Sequence, residues 1–536
     1  MCELPPISKR TLSSAFDKAL KTCPDNIAHV AGGDAWTFAQ SYEHAMRIAG
    51  GLHQLGAQRQ QTIALMLDNS MDAMHVWTGI TLGGAIEVPI NTAHKGHFLS
   101  HVLNDAQTSI AIVEDTYAER VERVAEELTN LRTLVVRGDI SAADRLRERF
   151  RVIGLDEVVS ADPLESRPNR HDDLIAYMYT SGTTGMSKGV EISHVHAYTY
   201  SSREDGPRGP SPSDRVLVTL PMFHLAGQWV GCYQSLIHQN TCVIEPGFSA
   251  SKFWSVVREN KITYTTLLGA MAEILQQQPP QADDADNPLK YATMHPLASD
   301  VLGFAERFGI EIGTGYGMSE IGGVMTGSWE SLQPGEAGRA RDGYQLRVVD
   351  PAGADVQPDE VGELWVKPDD PLMVMNGYHN LPDKTADTIV DGWVHTGDAF
   401  KTDDDGHFYF VDRMKDALRR RGENISSFEV EKVINEYPQV YESAVVAVPS
   451  DLTEDDIKAV IVTREGQSID PVELIEFLVD RMPYFMVPRY LQFASSLPRT
   501  PTQKVQKHLL RDADANQDVW DREAAGITIT REGRRA

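Results

Sequence analysis

Along the first part of the chain, short apolar runs alternate with segments of helical period. AFDKALKTC (15–23) and YEHAMRIAGGLHQLG (42–56) carry apolar residues every three or four positions, which predicts helices with one buried face. TIALML (62–67), AIEVPI (85–90), SIAIVE (109–114), LRTLVV (131–136), LIAYMY (174–179), VLVTLP (216–221) and TCVIE (241–245) read as short buried strands. Strands alternating with helices predict an α/β sheet architecture. Near residue 340 the texture becomes β-rich, in YQLRVVDPAGADVQ (344–357) and VGELWVKP (361–368), and a small β subdomain is expected there. DDDG (403–406) makes a polar turn before HFYFVDR. A charged connector then feeds an amphipathic helix, the strands SAVVAVP and IKAVIVT, and the helix PVELIEFLVDRM. The expected domains are 1–412 and a small C-terminal α/β domain at 413–513, followed by a polar, frayed tail at 514–536.

Composition narrows the function. A chain of 536 residues exceeds one comfortable core. The formal net charge of −27 argues against a nucleic-acid partner, which would need basic patches. Any anionic substrate must be met by a local positive site. Cys2, Cys23, Cys232 and Cys242 have no CxxC spacing and read as free thiols of a reducing compartment. The N-terminus lacks an apolar signal core, and no window holds about eighteen uninterrupted apolar residues. A cytoplasmic enzyme without a membrane span is the expectation.

The most chemically suggestive stretch is YTSGTTGMSKG (179–189). Thr180 to Gly189 contain three glycines, five hydroxyl residues and one lysine. Bare backbone N–H groups and hydroxyls suit phosphate, and Lys188 supplies a mobile positive charge. The spacing does not match GxxxxGK[ST], so a P-loop ATPase or kinase is remote. By its glycines and hydroxyls alone the loop is equally a phosphate grip or a flexible turn.

Four further stretches follow in order: YGMSE (316–320), WVHTGD (393–398), DRMKDALRRRGEN (412–424) and PRTPTQK (498–504), and the chain also holds VPIN (88–91), PMFH (221–224), NGYHNLP (376–382) and VPRY (487–490). Together they resemble the adenylate-forming superfamily of acyl-CoA synthetases, peptide-synthetase adenylation domains and luciferases. RGENISSFEVE (421–431) and YFMVPRYLQF (484–493) are most similar to acyl-CoA ligases of the crotonobetaine/carnitine-CoA ligase type.

The resemblance implies a large N-terminal AMP-binding domain and a small, mobile C-terminal domain. It implies the cofactors ATP, Mg2+ and coenzyme A, a carboxylic acid substrate, and an acyl-adenylate intermediate. A carrier-protein thiol is the alternative acceptor, a small betaine or carnitine-type acid the alternative substrate, and a non-catalytic nucleotide-binding relative the alternative class. A homodimer is compatible with it. Thr180, Ser181, Gly182, Thr183, Thr184, Gly185 and Lys188 would hold the β- and γ-phosphates. Gly315, Tyr316, Gly317, Met318 and Ser319 would line AMP, with Tyr316 facing adenine, and Glu320 would bind magnesium. Asp398 would accept from both ribose hydroxyls, and Arg413 would make the second contact to ribose or phosphate.

Lys504 would bridge the reacting carboxylate and the α-phosphate. Lys415 matches the hinge, and Gly422 matches the glycine that lets the pantetheine thiol pass. Gln228, Trp229, Gly269, Gly313, Gly322 and Gly323 fall in the expected acyl pocket, with His224 at its entrance or near the acyl carboxylate. The many glycines there, and the lack of an acid among these residues, favour a bulky, mostly apolar acid. No carboxylate or cysteine partner accompanies His194 and His196, which read as structural. Two positions depart from the family pattern: Ser187 stands where proline is common, and Gln503 where glycine is usual.

Overall fold

The computed structural model describes residues 4–165, 168–180, 187–202, 210–327, 332–333, 335–413, 418–420, 423–425, 427–449, 455–479, 481–482, 486–499, 505–511, 518–530 and 533–535. It divides into two compact units, 1–345 with 366–394, and 346–365 with 395–536. Among the described residues no helix is long and apolar enough to cross a membrane.

The alternating pattern of the first unit becomes two sheets. Their strands include β1 (Ile86–Pro89), β2 (Leu174–Thr180), β3 (Lys188–Ser193), β4 (Glu311–Met318) and β5 (Gly322–Gly327). One sheet runs in the order Gly377–Tyr378, β3, β2, β1, Thr62–Met66, Ile110–Glu114, Thr133–Arg137, Arg151–Gly154. From β2 to Arg151–Gly154 its pairs are parallel, whereas β3 and Gly377–Tyr378 join antiparallel at the edge. The other sheet places β5, β4, Tyr291–Met294, Tyr264–Leu267, Arg215–Val218 and Thr241–Ile244 side by side.

The strands are apolar on both faces because cores lie on both sides. Ile86 and Val88 of β1 join Val113 and Leu134 in one cluster, while Ile63, Ile175, Trp77 and Trp229 form another. Helices are set by their caps. The helix Phe38–Gln54 starts with a capping box, in which Thr37 accepts from Gln40 N–H and Gln40 reaches back to Thr37 N–H.

The second unit starts earlier than the expected boundary at 412, because 346–365 and 395–412 fold onto one another. Thr396 Oγ1 donates to the Leu364 carbonyl at 2.7 Å, and His395 stacks on Trp365 with centroids 4.0 Å apart. Here β6 (Trp393–Thr402), which begins at the border of the unit, pairs antiparallel with β7 (Phe408–Arg413). Further on, β8 (Val440–Pro449), β9 (Asp455–Thr463), β10 (Tyr490–Ala494) and β11 (Val519–Asp521) form a four-stranded sheet.

The strand β11 lies within the segment expected to fray. Its residue Asp521 takes Arg489 at 3.1 Å, and Ile527 and Ile529 are buried in the C-terminal core. The ion pair and two buried isoleucines order a stretch whose overall composition is polar.

Candidate active site

The glycine-rich stretch joins two paired strands. Thr180 ends β2 and lies opposite Lys188, which starts the antiparallel β3. Ser181, Gly182, Thr183, Thr184 and Gly185 lie outside the described residues. The described end of the loop is tightly held. His101 Nε2 donates to the Ser187 carbonyl at 2.8 Å, and Tyr179 donates to Asp105 at 2.6 Å. A Cβ on Gly189 would approach the Tyr179 ring to 3.1 Å, so this third glycine serves packing against the ring.

Lys188 Nζ lies 4.4 Å from the centroid of the Tyr378 ring, within cation–π range. The Tyr378 hydroxyl donates to Glu320 Oε1 at 2.8 Å. Three motifs distant in sequence thus meet at one buried tyrosine. Nearby, His379 stacks on Tyr177 at 4.3 Å, and its Nδ1 lies 2.9 Å from Glu191. The hydrogen bond to that carboxylate raises the pKa of His379.

Gly315, Tyr316, Gly317 and Met318 all lie on β4, and Ser319 and Glu320 form the turn into β5. The turn is tight for a steric reason. A Cβ on Gly317 would sit 2.2 Å from the Gly322 carbonyl oxygen, at the bulge where β4 and β5 shift register. Glu320 is buried, and its backbone carbonyl accepts from Met375 N–H. Among the described residues no group of three or more His, Cys, Asp or Glu side chains could hold a metal ion. The single buried carboxylate of Glu320 fits Mg2+, which takes one or two protein carboxylates and fills its remaining positions with substrate phosphate oxygens and water.

Two of the expected acyl-pocket residues, Gly322 and Trp229, pack against helix α1 (His194–Ser201). Gly322, at φ +73°, faces this helix, and a Cβ there would meet His196 Nε2 at 3.2 Å and Tyr200 Cβ at 3.6 Å. Tyr200 packs edge-on against Trp229 at 6.3 Å. Gly269 abuts Pro296, Gly313 pairs with Thr293, and Gly323 pairs with Gly317. His224 precedes the turn Leu225–Gly227 and packs beside Phe223 at 4.9 Å. That turn runs into a π-helical segment, Gln228–Tyr233, which buries both Gln228 and Trp229. His194 and His196 are fully buried, and burial pushes both imidazoles down to about 3, which keeps them neutral.

One acid at this wall escaped the sequence reading. Glu87 of β1 is fully buried and accepts from Gln228 Nε2 at 2.7 Å. Burial pushes its pKa up to about 8. It sits mid-strand in AIEVPI, where the apolar neighbours Ile86 and Val88 point to the opposite face. An acid inside an otherwise unbroken apolar strand was its only signal.

Asp398 and Arg413 belong to the second unit. Asp398 is buried on β6, its N–H donates to Thr396 Oγ1 at 3.1 Å, and the register sets it directly opposite Arg413 of β7. Lys415, Gly422 and Lys504 lie outside the described residues, as does Gln503.

Known proteins bear on this arrangement. Residues 16–379 match the model of the AMP-binding enzyme family, and residues 429–504 that of the AMP-binding enzyme C-terminal domain. The chain therefore belongs to the AMP-binding enzyme family, within the adenylate-forming superfamily. It is 29% identical over 485 residues to a crotonobetaine/carnitine–CoA ligase of Salmonella paratyphi A, covering 89% of this chain and 93% of that one. The fold matches an anthranilate CoA ligase, AuaEII, in complex with anthranoyl-AMP, with a TM-score of 0.85 at 23% identity over 94% and 97% of the two chains. It also matches ATP-bound MatB from Rhodopseudomonas palustris, with a TM-score of 0.79 at 25% identity over 94% and 99%.

Proposed function

We propose that this enzyme activates a carboxylic acid with ATP, releasing pyrophosphate, and passes the acyl group from the acyl-adenylate to coenzyme A with release of AMP. The observation that carries this reading is the meeting of Lys188, Tyr378 and Glu320 at the end of the glycine-rich stretch. It joins a phosphate-facing cation to a carboxylate suited to a hard cation.

A carboxylate is a poor acyl donor because oxide is a poor leaving group. Attack of its oxygen on the α-phosphorus expels pyrophosphate, and a thiolate then expels AMP from the carbonyl carbon. Both steps gather negative charge at phosphate oxygens, where fixed positive groups do most good. In this reading the 180–188 loop with Lys188 holds the leaving pyrophosphate, and Glu320 holds Mg2+, which when bound screens phosphate charge. Tyr316 faces adenine, Asp398 and Arg413 hold ribose, and Lys504 attends the reacting carboxylate. Gly422 leaves room for the pantetheine thiol, and Lys415 marks the hinge of the small domain, whose family limits we set at 413–513.

The acid is bulky and mostly apolar. Tyr200 and Trp229 give the wall its apolar rings, whereas a Cβ at Gly322 would crowd His196 and one at Gly269 the Pro296 carbonyl, so these two glycines serve close packing rather than opening volume. Glu87 does not counter this, since a carboxyl with a pKa near 8 is mostly uncharged at neutral pH and offers no anion to a quaternary ammonium. The similarity to crotonobetaine/carnitine–CoA ligases favours a small betaine instead. Carboxylate-dependent ATP–pyrophosphate exchange, and AMP release across aliphatic, aromatic, polycyclic and betaine acids with and without CoA, test both readings. Absence of exchange with every acid rules out adenylation, and betaines activated best rule out the bulky acid.

A further inference from the structure

We infer that Tyr378 is a positioning residue that fixes the metal-binding carboxylate Glu320 against the phosphate-facing Lys188, an inference resting on the adenylate-forming reading above. Lys188 begins β3, Glu320 lies in the turn between β4 and β5, and Tyr378 comes from a third segment. That segment is anchored on both sides. The strand Gly377–Tyr378 pairs with β3, setting Tyr378 opposite Val190. Asn376 N–H donates to the Glu191 carbonyl and His379 N–H to the Gly189 carbonyl, at 2.9 and 2.8 Å. On the other side Met375 N–H donates to the Glu320 carbonyl at 2.8 Å. Thr385 Oγ1 accepts from Tyr378 N–H at 2.9 Å. The ring is buried and its backbone is held at both neighbours, so its hydroxyl and its face occupy fixed positions.

The two ends of the side chain do different work. The O–H donates a charge-assisted hydrogen bond to one oxygen of Glu320, which sets the carboxylate rotamer. The other oxygen keeps its lone pairs for a hard cation. The ring face attracts the ammonium of Lys188 and holds it in the same place when a phosphate is bound, so the contact adds to metal-free affinity. Phenylalanine would keep the second role and lose the first. Leucine would lose both.

Isothermal titration calorimetry of the full chain with α,β-methylene-ATP, which lacks the cleavable α–β bridge, separates these roles. The titrations are run with and without Mg2+. We expect Tyr378→Phe to cut the Mg2+-induced gain in affinity about tenfold, the scale of one hydrogen bond to a charged group, with metal-free affinity unchanged. Tyr378→Leu should also weaken metal-free binding about threefold or more, as a lost cation–π contact requires. Adding Tyr378→Phe to Glu320→Gln should change the Mg2+ gain no further. The inference is overturned if Tyr378→Phe keeps the wild-type Mg2+ gain, loses affinity by one factor with and without metal, or adds its full effect in the Glu320→Gln background. A general loss of folding falls under the second outcome. Wild-type protein that binds no analogue under either condition overturns the adenylate-forming reading itself, a result distinct from these three.

Discussion

Glu87 Oε1 accepts a hydrogen bond from Gln228 Nε2 at 2.7 Å with both side chains buried, so the π-helical segment is tied to β1 through an acid that burial keeps protonated. Its folded pKa of about 8 lies above the ordinary 4.5. The folded state therefore binds the extra proton between those values. The group's contribution is most favourable below about 4.5 and is lost as pH rises through about 8. Glutamine can accept the same bond and has no charge to bury. We expect Glu87→Gln to stay within about 1 kcal/mol of the wild type in urea unfolding at pH 5 and to exceed it at pH 8 by on the order of 4 kcal/mol. Equal stability of the two proteins at pH 8 would show that Glu87 is not held protonated.

The buried histidines act with the opposite sign. Burial lowers His29 to about 4 and His194 and His196 to about 3, below the ordinary 6.5. The unfolded chain then binds more protons below pH 6.5, and stability falls as pH drops toward 3 to 4. By pH 5 each ring costs on the order of 2 kcal/mol, and the three together outweigh the gain from protonating Glu87. The urea midpoint should drop steeply from pH 7 to 5, and Glu87→Gln should steepen the drop. A midpoint level across that interval contradicts the neutral, buried state of these rings.

The α/β alternation was legible because period and run length are local properties: TIALML, SIAIVE and LRTLVV became strands within a residue or two of their predicted limits. The site motifs were legible as sequence strings, and the structure brings Lys188 and Glu320 to one tyrosine. What joins them was not. Tyr378 lay inside NGYHNLP without a role, since its partners come from a distant strand start and a distant turn. Glu87 stayed hidden because an apolar run does not show which neighbour faces which core. The strand β11 was missed because its support is a pairing with β10 and an ion pair to Arg489, neither visible in the polarity of 514–536.

Gly322 is pressed between conformation and wall. At φ +73° an L side chain is strained, and a Cβ would need His196 to give way. Gly322→Val should therefore narrow the proposed acyl pocket while sparing the phosphate loop. We expect kcat/KM for a bulky acid to fall by at least roughly 10–200-fold, the range for one misplaced methylene, since valine adds three carbons, with KM for ATP unchanged. Steady-state assays on paired large and small acids would show it. Equal losses for both acids would assign the defect to the fold of the β4–β5 turn.

Lys504 and Gly422 are assigned to different half-reactions. Lys504→Ala should slow adenylation by about 10²–10³, the cost of removing one well-placed transition-state partner, and largely spare thioester formation from supplied acyl-adenylate. Gly422→Phe should do the reverse by blocking the thiol. Rapid-quench measurement of each half-reaction decides the matter, and equal loss in both steps by either variant refutes its assigned role.

Ser187 stands where the family commonly has a stiffening proline, which predicts a looser loop than in its relatives. The structure supplies another restraint, the His101 Nε2 hydrogen bond to the Ser187 carbonyl at 2.8 Å. A proline would limit the same backbone through its fixed φ. If both devices serve to hold the start of β3 and Lys188, they should substitute for one another. His101→Ala should raise KM for ATP about three- to tenfold, as loss of one hydrogen bond would, and leave KM for the acid unchanged. Adding Ser187→Pro should restore most of that loss, because the carbonyl of residue 187 remains while its backbone loses freedom. If the double variant is no better than His101→Ala alone, His101 acts on something other than the stiffness of this loop, and Ser187 is not a compensated departure.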